Sequence, residues 1–292
     1  MDIRAILMGL AFALMWSSAF TSARMIVLDA PPLTALALRF LLSGAIGIGL
    51  ALALGQSWRL SRAQWKATAI FGLMQNAAYL GLNFIAMQRV EASVAAIIAS
   101  SMPLMVALAG WVVFRDRLRP LAIGGLVAGF GGVMLIMGAR LQGGIDPVGL
   151  ALCVTGAVAL TVATLSVRGA SGAQGNLLMV VGLQMLVGAV ALGGLAIGFE
   201  SWEVNWTPRL VGAFLYTTLV PGLLATWVWF ALVARIGAVK GAAFHFLNPF
   251  FGVAIAAVLL GERIGGADLI GVAIIAAGIL AVQLSRATAP AR

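Results

Sequence analysis

Residues 247–266 read "LNPFFGVAIAAVLLGERIGG": Asn248-Pro249, an apolar run, then Gly-Glu-Arg. Residues 101–120 read "SMPLMVALAGWVVFRDRLRP", the same plan with Pro103 for Pro249 and Asp116-Arg117 for Glu262-Arg263. Sliding the chain by 249 − 103 = 146 positions, without a gap, also sets Phe84 on Phe230, Arg89 on Arg235, Gly125 on Gly271, Gly132 on Gly278 and Arg140 on Arg286. A proline, an acid-arginine pair and a terminal arginine in one register point to an internal repeat.

Composition says where such a repeat can live. Of 292 residues, 62% are hydrophobic and only 9% charged, whereas a soluble domain carries about 25% charged residues. A helix crossing a bilayer needs about 20 mostly apolar residues, because the hydrocarbon core is about 30 Å thick and each residue rises about 1.5 Å. Charges and turn residues cut the chain into ten such stretches, at 4–26, 33–54, 66–88, 92–114, 120–138, 147–167, 176–198, 209–234, 240–260 and 267–285. The short alternating segments of a membrane β-barrel are absent. "SSAFTSA" at 17–23 has the small residues of a signal-peptide cleavage site, but losing the first span would destroy the symmetry of the repeat.

The net charge of +9 would suggest nucleic acid in a soluble protein, but here it reports orientation. With the N-terminus placed in the cytoplasm, Arg4, Arg59, Arg62, Lys66, Arg115, Arg117, Arg119, Arg168, Arg235, Lys240, Arg286 and Arg292 fall on that side. Only Arg24, Arg89, Arg140, Arg209 and Arg263 fall on the other, and Arg39 lies within a span. The positive-inside rule then puts both termini of this multi-pass chain in the cytoplasm. Cys153 is the sole cysteine, so neither an internal disulfide nor a cysteine metal cluster is available.

Five helices per repeat is an odd number, so the second repeat enters the membrane from the opposite side. The expected fold is an all-α integral membrane protein of ten transmembrane helices, arranged as two inverted five-helix repeats, 1–143 and 144–292, forming one transport domain. Inverted repeats are a secondary-transporter architecture with substrate near the midplane, where the halves meet.

"PPLTALALRFLLSG" from Pro31, "SMPLMVALAGWVVFRDRLRPLAIGGLVAGFGGVMLI" from Ser101 and "LNPFFGVAIAAVLLGERIGGADLIGVAIIAAGIL" from Leu247 resemble the drug/metabolite transporter superfamily, in its ten-helix EamA-type members. The likeness covers essentially the whole chain. It implies export or exchange of small metabolites, commonly amino acids, across the bacterial inner membrane, and the branch it resembles exports aromatic and neutral amino acids.

Polar side chains are costly in hydrocarbon unless they face protein or water, so they mark candidate sites. In the third span Asn76, Tyr79 and Asn83 share one helix face with Gln75 adjoining; we read them as lining substrate, with interhelical hydrogen bonding as the alternative. Further substrate-binding candidates are Trp16 and Ser17 in the first span, Ser100 and Ser101 in the fourth, Thr164 in the sixth, Trp227 in the eighth, and His245 and Asn248 in the ninth. Ser18, Thr21 and Thr161 fit packing roles. Trp202 and Trp206 suit an interfacial aromatic belt. Pro103 and Pro249 remove backbone donors about ten residues into their spans, which frees the carbonyls of Ala99 and His245 for substrate or water, or simply kinks the helix. Arg39, in a general "ALRF" signature, is assigned a structural role over attraction of a substrate carboxylate. Arg117 and Arg263 set topology and close short loops, so with Arg39, Pro103 and Pro249 they form the structural or gating set.

All nine acids fall at span ends or in loops. Ion-driven pumps place carboxylates inside the membrane, so facilitated diffusion or exchange is expected, with proton coupling through His245 as the alternative. The same absence argues against a multidrug exporter for lipophilic cations, the main competitor. An intramembrane enzyme would need a nucleophile with a base, or a metal, and one histidine offers neither; no catalytic residue, metal or cofactor is expected. The longest loops, about ten residues, leave little room for a scaffold or sensor. The expected partners are a small-molecule substrate and membrane lipids, not nucleic acid, with the protein a monomer or weak homodimer.

Overall fold

A computed structural model describes residues 3–166, 176–236, 241 and 244–287. Arg168, Lys240, Arg292 and Asp2, counted above, lie outside the described residues, as does the side chain of Arg286. Among the described residues all regular structure is helical. In chain order the helices are α1 (Ile3–Val27), α2 (Pro32–Ala53), α3 (Arg62–Phe71), α4 (Leu80–Ala86), α5 (Ala92–Ser100), α6 (Met102–Phe114) and α7 (Pro120–Gln142). They continue with α8 (Pro147–Ser166), α9 (Leu177–Phe199), α10 (Pro208–Thr217), α11 (Ala225–Ile236), α12 (Asn248–Leu260) and α13 (Gly266–Ala287). π-helical turns at Gly72–Tyr79 and Thr218–Leu224 join α3 to α4 and α10 to α11, and a 3₁₀ turn, Phe244–Leu247, leads into α12.

Among the described residues nine continuous helical stretches are long and apolar enough to cross a membrane, and the shorter Phe244–Leu260 makes ten. Large apolar side chains point outward along them: Met134 is 75% exposed, Val190 77% and Val258 82%. That surface would be costly in water and costs nothing against lipid tails. Prolines open α2, α7, α8 and α10, where the missing N–H has no helical partner to lose.

The chain divides into two compact units, each drawing on both halves of the sequence: unit 1 comprises Met1–Thr21, Arg89–Leu150 and Leu224–Arg292, and unit 2 comprises Ser22–Gln88 and Ala151–Leu223.

In unit 1, α7 lies against α13. A Cβ on Gly278 would come within 2.6 Å of the Gly125 carbonyl oxygen and 2.7 Å of the Gly129 nitrogen, and one on Gly132 would come within 2.9 Å of the Gly271 oxygen. Position 125 meets 278 and 132 meets 271, so the helices run antiparallel. Ile97, Leu104, Ile136, Val253, Ile275 and Ile279 fill the adjoining core. At the ends of these helices the polar groups are matched. Glu262 accepts from the backbone nitrogens of Ala92 (2.7 Å) and Ser93 (3.0 Å), capping α5. Arg140 pairs with Asp268 at 3.0 Å and with Glu91.

In unit 2, α2 packs along α9 with Gly44 and Gly182 at the crossing. Glu200 caps α2, accepting from the nitrogens of Leu33 (2.7 Å) and Thr34 (2.8 Å). Asp29, in the loop between α1 and α2, accepts from Arg209 at 2.8 Å, Thr207 at 3.1 Å and Asn205 at 3.1 Å.

Irregularities recur at the repeat spacing. The π turns begin at Gly72 and Thr218 (218 − 72 = 146). Left-handed residues close α6 at Arg115 (φ 55°) and α12 at Gly261 (φ 68°), again 146 apart. Helices restart immediately before Pro103 and Pro249.

Two measurements test this packing. Gly278→Ala forces a methyl group into backbone that cannot yield and is expected to destabilise by roughly 1–3 kcal/mol, read as a lowered Tm in detergent; Gly124→Ala, whose Cβ would meet nothing, should leave Tm unchanged. The hydrogen bond from Arg209, reinforced by Thr207 and Asn205, holds the Asp29 carboxyl below its ordinary value of 3.8. A lowered folded pKa gives stability that is complete above the ordinary value and lost as pH falls through the folded one. The Asp29 contribution should therefore be intact at pH 5 and vanish only below about 3.8, and Asp29→Asn should lower Tm at neutral pH and flatten that acid limb.

Candidate functional site

Unit 1 gathers its polar and aromatic candidates where α12 begins. Pro249 cannot donate to the preceding turn, and the chain answers by ending a 3₁₀ turn at Leu247 and starting a fresh helix at Asn248. Pro249 thus stands in a first turn rather than in a helix interior, and Pro103 does the same after the break at Ser101. His245, in the 3₁₀ turn, is three residues before Asn248, and the Asn248 Nδ2 lies 2.9 Å from the imidazole Nδ1. With the amide donating, Nδ1 accepts and the ring proton sits on Nε2. Ser17 of α1 donates to the Asn248 backbone carbonyl at 3.3 Å. The Asn248 Oδ1 is buried with no hydrogen-bond partner.

Three aromatic rings surround the imidazole. Phe12 meets it edge-on at 5.3 Å, Trp229 at 5.4 Å and Trp16 at 6.4 Å between centroids. Phe12 also lies 4.7 Å from Trp229 and 5.7 Å from Trp16. These spacings fall in the range preferred by interacting π systems. Among the described residues no carboxylate pairs with His245. The group therefore offers an imidazole N–H, an open amide acceptor and flat apolar faces, without a charge.

Trp16, Ser17, His245 and Asn248 come together as the sequence suggested. Trp227 does not join them: it is 67% exposed, while Trp229 faces the histidine, since residues two apart on a helix point in different directions. Phe12 escaped sequence reasoning, although its place four residues before Trp16 on one face of α1 was a usable signal. Ser100 and Ser101 are buried and donate to the carbonyls of Ala96 and Ile98, both at 2.6 Å. Arg117 and Arg263 are exposed.

Unit 2 holds the amide stripe. Asn76 donates to the Gln184 carbonyl of α9 at 2.9 Å, and Asn83 to the Tyr79 carbonyl one turn back at 2.9 Å. Gly188 lets α9 close over Asn76, and Gly156 of α8 lies against Asn83; a Cβ at either would clash, at 2.5 and 2.6 Å. Tyr79 is buried with them, Gln75 is half-buried, and Thr164 donates to its own helix at the Leu160 carbonyl. Asn76 is thus interhelical glue as built, while the Asn83 Oδ1 stays buried without a partner. Arg39 of α2 is only 7% exposed and stacks on Phe40, 5.1 Å from the ring centroid. An open cavity of about 760 Å³ sits at one end of this unit, lined by residues including Asp29, Gln88, Glu200, Glu203 and Asn205; Asp29 and Glu200 are already engaged in the bonds described above.

Comparison with known proteins places these features in a family. A solved crystal structure of a protein 24% identical to this chain superposes with a TM-score of 0.71, covering 98% of this chain and 99% of that one, and so shares its fold. An uncharacterized transporter, YvbV of Bacillus subtilis (strain 168), is 26% identical over 278 residues, 94% of this chain and 90% of its own. The aromatic amino acid exporter YddG of Ancylobacter novellus is 30% identical over 139 residues, 48% of each chain. The EamA-like transporter family matches twice, over residues 3–138 and 147–284. A helical membrane protein with this match along nearly its whole length belongs to the EamA-like transporter family.

Proposed function

We propose that the protein carries aromatic or neutral amino acids out across the bacterial inner membrane by alternating access, as facilitated diffusion or exchange, with both termini in the cytoplasm. The observation that carries this reading is the group around His245. A buried amide oxygen left without a partner costs about 1–3 kcal/mol, and Asn248 Oδ1 is such an atom, at a helix break beside three aromatic rings. A substrate ammonium would satisfy that acceptor, and an apolar or aromatic side chain would find the faces of Phe12, Trp16 and Trp229. The likeness of half of the chain to the aromatic amino acid exporter of Ancylobacter novellus supports the same substrate class.

Two inverted five-helix repeats, 1–143 and 144–292, are the architecture we assign to this cycle. The recurrence of π turns, left-handed caps and helix restarts at one spacing supports it. So does the exchange of partners between α7 and α13: the register equates Gly125 with Gly271 and Gly132 with Gly278, and each glycine packs against the counterpart of the other. That reciprocity is the mark of a two-fold axis. Gln75, Tyr79, Asn83, Ser100, Ser101, Thr164 and Trp227 remain proposed contacts, to be engaged in other states of the cycle.

Counterflow decides the central point. Purified protein in liposomes preloaded with unlabelled L-phenylalanine, without any ion gradient, is expected to accumulate labelled L-phenylalanine above empty liposomes; failure with every aromatic and neutral amino acid would reject the substrate class. An imposed pH gradient should leave this exchange unchanged, and accumulation driven by ΔpH but lost in His245→Gln would replace exchange with proton coupling. Asn248→Ala should raise KM for counterflow roughly 3- to 10-fold, whereas an unchanged KM would remove Asn248 from the substrate contacts.

A further inference from the structure

Among the described residues the charged side chain of Arg39 has no counter-ion. It sits about 10 Å along α2, counting 1.5 Å per residue from Pro32, and is 7% exposed, so its head does not snorkel to an interface. Its Nε has no hydrogen-bond partner. The helices that pack against α2 within unit 2, namely α4, α9 and α10, contain no acidic residue. Glu200, which follows α9, is committed to the amino end of α2. The stack on Phe40 stabilises the cation without neutralising it.

A second unpartnered group lies beside it. Ser43, one turn further along the same face of α2, is 1% exposed, and its hydroxyl makes no hydrogen bond. Both groups border Gly222 in the π turn after α10. A Cβ there would stand 3.1 Å from the Thr217 carbonyl oxygen, 3.6 Å from the Ser43 Oγ and 3.7 Å from the Arg39 Nη2. A π turn pairs each carbonyl with the N–H five residues on, which accommodates Pro221 and brings the glycine to this spot. Guanidinium, hydroxyl and a position kept clear of side chain thus meet at one place.

We propose that Arg39 and Ser43, beside Gly222, form a recognition site in unit 2 for the carboxylate of a small metabolite. A guanidinium presents parallel N–H donors that match a carboxylate in a bidentate pair, and the serine adds a third donor. The single cation suits a monoanion; a phosphate dianion would call for more positive charge than unit 2 places here. This deepens the amino-acid reading, on which it rests for the identity of the metabolite, and gives Arg39 a ligand-binding role in place of the structural one expected from its signature.

The test uses the full chain in detergent and calorimetric titration with L-phenylalanine, 3-phenylpropanoate (carboxylate without amine) and 2-phenylethylamine (amine without carboxylate). Wild type is expected to bind both carboxylates. Arg39→Gln should lose roughly 10- to 100-fold in affinity for each, Arg39→Lys should lose less, and neither should alter binding of 2-phenylethylamine. Wild-type affinity for 3-phenylpropanoate in an Arg39→Gln protein of unchanged Tm overturns the proposal, as does a wild type that binds no carboxylate. Should Arg39→Gln not fold, Ser43→Ala decides: it removes an unbonded hydroxyl and is expected to weaken carboxylate binding roughly 3- to 10-fold, and no loss again overturns the site. Counterflow separates the two readings. Amino-acid exchange undiminished in Arg39→Gln sinks this inference and spares the function, whereas Arg39-dependent binding of 3-phenylpropanoate without exchange of any amino acid sinks the function and spares the site.

Discussion

A hydrocarbon environment gives a polar group no water to bond, so each one must find a partner within the protein or face a cavity. Much of this structure follows from that constraint. The apolar stretches become helices because a helix satisfies its own backbone. The acids collect where helices begin, since the first turn of a helix leaves N–H groups unpaired. Glu262 and Glu200 each close two of these donors on another helix of their own unit, and Asp268 both accepts from the Gly265 nitrogen and holds Arg140. Their absence from the spans reflects employment at the helix ends as well as the cost of burial.

The same rule makes the exceptions informative. Hydroxyls within the spans mostly turn back on their own helices, as Ser100, Ser101, Thr161 and Thr164 do, so in this state their donors are used locally. Against that background the unmet groups stand out, among them Asn248 Oδ1 in unit 1, and the Arg39 Nε with the Ser43 hydroxyl in unit 2. These three accompany a local break in helix geometry, the 3₁₀-to-α restart before Pro249 and the π turn around Pro221. Proline forces the break, and the break brings side chains to positions that a continuous helix would not allow.

Much of the fold was legible in the chain. Hydropathy located the ten spans to within a few residues, because span length is set by bilayer thickness and its ends by charge and proline. Asn248-Pro249 with Gly-Glu-Arg, matched to Pro103 with Asp-Arg, set the register of 146 residues at which the π turns, left-handed caps and helix restarts recur. The site was less legible. Trp227 and Trp229 are two residues apart in an apolar helix, and composition cannot say which faces inward; Trp229 does. Asn76 read equally as substrate lining or as glue, and only the Gln184 carbonyl opposite it shows the bond it makes. Phe12 carried no polar signal at all.

Membrane character, span number, family signature and the glycine positions were therefore fixed by the sequence alone, since they depend on properties summed along one helix or repeated along the chain. Which helices pair, and which polar atoms are left over, depended on tertiary structure. Gly125 meets Gly278 rather than its register partner Gly271 because α7 and α13 run antiparallel with glycine at each crossing. Among the described residues Arg39 has no acid beside it, since α4, α9 and α10 bring none to α2. A partner distant in sequence is chosen by packing geometry, and no local pattern of residues encodes it.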